Sequence, residues 1–334
     1  MLMSQQKYSK ATAASTFLVC CVLSAVSLLL IINKQRVIDQ VTVWQYNPTS
    51  EISALADRGG MSDYGKFLYL ASQPKLEATQ DFNLECDRIE NITSILGCYS
   101  NYRIFIYDVT DPQLDGIREV TAAHEMLHAA YIRMNNDDKS KVDTLLEVEY
   151  KKLENNKNFM ERMDFYARTE PGQRYNELHS VIGTEVAEVN SELETYYDKY
   201  FSDRQKVVEL NIKYSSVFQK LESRANELSE QLSTLESDIS NRSAQYNTDV
   251  QILNHDIATF NRQVSNGEFS SQEQSIYERA TLMDRAANLD VVRTEINNDI
   301  TKYHSILSEY NSIASQSKKL NNLIDSTLAP APSI

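Results

Sequence analysis

The residues best placed to do chemistry lie in "VTAAHEMLHAAY", Val120–Tyr131. The chain has five histidines, and His124 and His128 stand four apart here, with Glu125 directly after the first. On a helix, that spacing puts both imidazoles one turn apart on one face, where both can reach a single ion at about 2.0–2.1 Å. Glu125 falls roughly 100° around the axis, beside the ion rather than among its ligands. From there a carboxylate can take a proton from a zinc-activated water as that water attacks a carbonyl. Ala122, Ala123, Ala129 and Ala130 would let neighbouring elements approach closely. A pair of hydrogen-bonded structural histidines on an amphipathic helix is the plainer alternative.

Two histidines need a third ligand. "YNELHSVIGTEVAEV", Tyr175–Val189, offers Glu177, His179 and Glu185. Wound at about 100° per residue, Leu178, Val181, Ile182 and Val189 make one apolar stripe. Glu185 falls near its middle, with Glu177 and His179 on opposite flanks. A carboxylate within a buried apolar face is costly unless it is paired or binds a metal. Glu185 therefore ranks first as the third ligand. Glu177 and His179 are alternates, or contacts to substrate and transition state. Pairing of Glu185 with a buried arginine such as Arg174 or Arg118 is the competing explanation. Gly183 and Thr184 would let this helix press on the histidine helix.

The elements that must hold these residues follow from local pattern. A helix is expected from Ile117 to Met134, capped by Asp111 or Asp115, after the turn "DPQLDG". "YRIFIYDV" (Tyr102–Val109) and "GKFLYLA" (Gly65–Ala71) are rich in aromatic and aliphatic residues and read as strands. "PTSEISALADRGG" reads as a short helix capped near Ser50 and stopped by Gly59–Gly60.

His124-Glu125-Met126-Leu127-His128 resembles the H-E-x-x-H helix of the zincin metallopeptidases. The resemblance covers roughly Ile38 to Asn190. It implies an α+β domain with a mixed sheet above the active-site helix, a cleft between two lobes, and a peptide along a sheet edge. It also implies zinc on His124 and His128, with Glu125 as general base. "HAAYIRMNNDD" lacks the glycine and third histidine of metzincins, whereas gluzincins take a glutamate from a later helix. Asn176-Glu177-x-x-Ser180 is similar to the glutamate helix of one gluzincin branch, which favours Glu177 where helical geometry favours Glu185.

The N-terminus carries a different signal. Residues 1–10 precede "ATAASTFLVCCVLSAVSLLLII" (Ala11–Ile32), an uncharged stretch long enough to cross roughly 30 Å of hydrocarbon as a helix. Lys7 and Lys10 before it nearly balance Lys34 and Arg36 after it, leaning weakly toward a cytoplasmic N-terminus. An uncleaved anchor is expected, since a signal peptide has a shorter apolar core and a small-residue cleavage site. The bulk of the chain would then be extracytoplasmic, where Cys86 and Cys98 can pair as a disulfide. Two buried thiols are the alternative, and neither cysteine has the C-x-x-C spacing of a zinc site.

The net charge of −14 offers no basic footprint for nucleic acid. No loop carries the alternating acidic ligands of a calcium module. Beyond the expected peptidase domain (38–200), few breakers interrupt the sequence, which reads as helical. Phe218, Ala225, Leu232, Ile239, Tyr246, Leu253 and Phe260 recur every seven residues, with Leu221, Leu228 and Leu235 on the second seam until Arg242 interrupts it. "SNGEFSSQE" breaks the helix, with Ser270 and Glu273 as a capping box. A second helix then makes 205–326 an antiparallel coiled-coil hairpin, before a loose tail at 327–334. The expectation is a single-pass, membrane-anchored zinc endopeptidase acting on protein or peptide. The alternative is a cell-envelope scaffold whose hairpin pairs with itself or a partner beside a relic zincin domain.

Overall fold

The computed structural model describes residues 2–86 and 95–327. The tail from Leu328 onward lies outside them. Helix makes up 79% of the described residues, and the described sheet has three short strands.

The first helix, α1 (Leu2–Ile32), contains Ala13–Ile32, 20 residues long and apolar enough to cross a membrane. A signal sequence would meet the same description. After Asn33 comes α2 (Lys34–Gln45). Helix α3 (Ser50–Arg58) is capped by Thr49, whose side chain accepts from the Ile52 amide at 3.2 Å. The stretch Gly65–Ala71, expected as a strand, belongs to helix α4 (Asp63–Ala71). Ser62 caps α4 by accepting from the Gly65 amide. Leu68, Tyr69 and Ala71 face the core. Gly65 presses on the Tyr200 carbonyl, where a Cβ would clash. Capping and one-sided burial therefore override the local strand preference.

Strand β1 (Lys75–Glu77), helix α5 (Thr79–Glu85), β2 (Gly97–Ser100) and β3 (Arg103–Tyr107) form the sheet region. The strand order is β1-β3-β2, with β1 parallel and β2 antiparallel to β3. Asn101 and Tyr102, both at positive φ, make the tight turn that twists β2 back along β3. Side chains on β3 alternate. Ile104 and Ile106 enter the main core, while Phe105 packs with Phe82 and Cys86 on the other face. Cys86 and Cys98 form a disulfide with Cα atoms 5.9 Å apart, fastening β2 to the end of α5.

A 3-10 turn at Pro112–Leu114 leads to α6 (Ile117–Ile132). Neither aspartate expected to cap α6 does so. Gly116, at φ 106°, precedes it without a side-chain cap. Asp111 instead accepts from the Gln113 amide. Asp115 is held by Arg58 at 2.8 Å and Lys213 at 2.6 Å. Helices α7 (Asn136–Leu153), α8 (Lys157–Thr169), α9 (Arg174–Glu185) and α10 (Ser191–Tyr197) follow. Ala122, Ala123, Met126, Leu127 and Ala129 on α6 have no exposed surface, and α9 packs along them. At Gly183 of α9 a Cβ would meet Leu127 and come within 2.8 Å of the Tyr197 ring, so the two helices touch backbone to side chain.

Two long helices end the described chain, α11 (Arg204–Asn266) and α12 (Gln272–Ile324). The start of α11 belongs to the first compact unit, and Phe218–Asn321 form the second. Buried Arg204 donates to the Val186 and Ala187 carbonyls beyond the end of α9, a cation where the helix dipole favours one. Within the second unit the helices run antiparallel, since Arg224 pairs with Glu309, Arg242 with Glu295 and Arg285 with Asp256. Leu221, Leu228, Leu253, Ile296 and Leu320 are buried. Arg242, expected to interrupt the seam, keeps its place there because Asp299 and Glu295 of α12 meet it. Such polar layers specify register at some cost in stability. The start of α12 is capped by Ser271, which accepts from the Gln274 amide at 3.2 Å, one residue later than the Ser270/Glu273 box expected.

Candidate metal centre

Helices α6 and α9 bring three side chains to one point. Donor atoms of His124, His128 and Glu177 all lie within 4.8 Å of one another. His128 Nε2 is 3.4 Å from Glu177 Oε1, and His124 Nε2 is 3.7 Å from Glu177 Oε2. Tetrahedral ligands at about 2.0–2.1 Å from a zinc ion would be separated by roughly 3.3 Å, close to both values. The second oxygen of Glu177 and one oxygen of Glu125 are buried without a hydrogen-bond partner. Buried acceptors are normally satisfied, so two orphaned carboxylate oxygens at this point fit a cation.

Each ligand candidate has a physical support. His128 Nδ1 lies 3.0 Å from Asn176 Oδ1 and 3.2 Å from Ser180 Oγ. In the tautomer that carries its proton on Nδ1, His128 donates to Asn176 Oδ1 and would turn the Nε2 lone pair toward Glu177, a contact of the kind that orients metal-binding histidines. The ring of Tyr166 on α8 stacks along His124, centroids 6.4 Å apart. Gly97 of β2 lies directly over Thr121 and Glu125, so the sheet closes one side.

Charge in the site follows from burial and neighbours. Burial holds the His124 pKa below its usual value despite Glu177, which keeps the imidazole in its ligating, neutral form. At His128 burial acts the same way, but Glu177 and Glu125 outweigh it and draw the pKa up. Burial opposes ionisation of Glu177, yet His128 and His124 hold its pKa below the ordinary carboxylate value. Glu125 is pushed up to about 8, first by burial and then by Glu177 and Glu170. A carboxyl with that proton affinity is matched to accepting a proton near neutrality. Glu170, just beyond α8, is raised to about 7 by desolvation and by Glu177.

Glu185, ranked first as third ligand from the sequence, lies elsewhere. It is the last residue of α9, and its carboxylate pairs with Arg162 of α8. Glu177 stands in the candidate metal group instead. His179 is fully buried on another side of α9, with Tyr196 OH 2.8 Å from its Nε2 and Tyr131, Tyr197 and Tyr200 around its ring. Burial depresses its pKa to about 3, so it serves as a neutral packing histidine between α9 and α10. Tyr166, Glu170 and Gly97 were not anticipated as parts of the site, and Asn176 and Ser180 entered the sequence reading only as the ends of the Asn-Glu-x-x-Ser match, without a role beside His128. Asn176 and Ser180 share the one-turn spacing of His124 and His128, which puts both on the face of α9 that meets His128.

No protein-family model matches the chain, and no curated protein or solved structure matches it either. The reading of the site therefore rests on its own geometry.

Proposed function

We propose that this chain is a membrane-anchored zinc peptidase that hydrolyses peptide bonds outside the cytoplasm. The observation that carries the reading is the convergence of His124, His128 and Glu177 beside Glu125, a buried carboxyl that is not one of the three. The H-E-x-x-H helix followed by a glutamate from a later helix is the gluzincin-like ligand set. His124 Nε2, His128 Nε2 and Glu177 would hold the ion. Bound zinc supplies Lewis acidity toward a carbonyl and toward water.

The protein's own groups do the rest. Glu125 receives the proton removed from the attacking water and passes it to the departing amine. Asn176 and Ser180 keep His128 turned toward the site. Gly97 and Thr121 confine Glu125, and Tyr166 covers His124 from the α8 side. The Cys86–Cys98 disulfide supports an oxidising compartment for everything after α1, with Ala11–Ile32 retained as a single-pass anchor.

A second reading, an envelope scaffold working through the hairpin, draws on exposed Ile276, Tyr277, Met283 and Val291. A scaffold has no chemical use for a buried, half-unsatisfied Glu125. Incubating the full-length chain with an unfolded protein, with and without chelator, separates the two. Chelator-sensitive cleavage supports the peptidase, and no cleavage by zinc-loaded protein against any unfolded substrate sinks it.

A further inference from the structure

We infer that the outer face of α2 rests on the lipid surface of the bilayer beside the membrane span, and so holds helix α6, which carries His124 and His128, at the membrane. The docking rests on α1 being a membrane span. It does not depend on the metal chemistry.

The amphipathicity of α2 is inverted. A helix on a water-soluble body buries its apolar stripe and exposes its polar face. In α2, Val37, Val41 and Trp44 share one face with Ile38 beside them, at 38%, 40%, 76% and 46% exposure. The opposite face buries a charge, Asp39 at 4%. Arg133 Nε and Nη2 both donate to this carboxylate at 2.9 Å, which fixes the rotation of α2 on the folded unit. The apolar face cannot turn inward without breaking that pair.

Lipid is the occupant that the position favours. Helix α2 begins at Lys34, with only Asn33 between it and the end of α1 at Ile32. Asn33, at φ −102° and ψ 23°, departs from helical geometry, which allows the chain to change direction at the end of the span. A 12-residue helix is about 18 Å long, so the whole face lies within that distance of the hydrocarbon edge. Exposed Lys34 and Arg36 suit headgroup phosphates, and tryptophan is enriched at this interface.

The consequence reaches the candidate metal centre. Arg133 directly follows α6 and also donates to Tyr99 OH of β2 at 2.7 Å. His128 lies five residues before Arg133, roughly 8 Å along the helix. Held in this way, a peptidase would act on segments of proteins close to the bilayer surface.

Trp44 is the only tryptophan in the chain and reports on this face directly. The full-length protein is reconstituted in phosphatidylcholine vesicles, with the acyl chains brominated near the headgroup or left plain. Brominated lipid is expected to remove most of the Trp44 emission, while aqueous iodide quenches little. Val37→Asp with Val41→Asp alters only exposed positions, and should restore emission and open Trp44 to iodide. Iodide quenching without bromine quenching in the parent overturns the inference. So does protection from both, which would place a protein partner or second copy on the face, and so does a double variant still quenched by bromine. Emission reads neither metal nor proteolysis, so a failed peptidase assay and a failed docking result remain distinct.

Discussion

Gly97 in β2 and Glu125 in α6 stand in direct contact: a Cβ at Gly97 would lie 2.7 Å from Glu125 Oε1 and 2.5 Å from Thr121 Cγ2. No side chain fits between strand and helix there. Gly97→Ala should therefore push Glu125 from its place. A displacement near 1 Å can cost on the order of a hundredfold in rate. Glu125 is not one of the three grouped donors, so on the proposed mechanism zinc content should stay at the parent level while hydrolysis falls. Loss of zinc in parallel with activity would show that Gly97 supports the whole site rather than Glu125.

Glu125→Gln keeps the shape and removes the proposed base. Hydrolysis should drop by roughly a hundredfold or more, with metal content unchanged when protein and zinc are assayed on the same sample. A variant that cleaves at the parent rate would remove Glu125 from the mechanism.

Glu177 and Glu185 should behave as opposites. Glu177→Ala deletes a donor from the metal group and should lower zinc affinity steeply. Glu185→Ala breaks a partly exposed pair with Arg162 (side-chain exposures 17% and 41%), a class usually worth about 0–1 kcal/mol, and should leave zinc bound. Competition titrations with a chromophoric chelator compare the two, and the reverse order would restore Glu185 as the ligand.

That reversal shows where the sequence stopped being legible. His124, Glu125 and His128 are close in the chain, so one helix fixes their arrangement, and the motif could be read directly. Glu185 seemed buried because the stripe was wound on to Val189. In fact α9 stops at Glu185 and the chain is extended at Val186, so the stripe loses its last member. Arg162 comes from α8, and no local pattern places it beside Glu185. Gly65–Ala71 failed for a related reason. Its apolar residues suit a strand or a short helix, and the deciding contacts, Ser62 capping and Gly65 against Tyr200, involve burial and chain contacts that composition does not reveal. The hairpin was legible because heptad spacing is itself the packing rule.

Asp39 and Arg133 form a buried pair, side chains 5% and 7% exposed. Asp39→Ala strands a buried guanidinium and should destabilise the folded unit by about 3–5 kcal/mol. Arg224→Ala, at an exposed pair on the hairpin, should leave stability almost unchanged, because solvent screens such pairs. Denaturant midpoints of the full chain in one detergent test the contrast, and equal shifts would contradict it.

The central claim is that His124, His128 and Glu177 hold a zinc ion that Glu125 serves. The most direct measurement is the metal content of the purified full-length chain beside its hydrolytic activity. The account predicts one zinc per chain, removed by chelator together with cleavage, regained with added zinc, and absent from His128→Ala. A correctly folded parent chain that takes up no zinc, or one that cleaves equally well without it, would contradict the account.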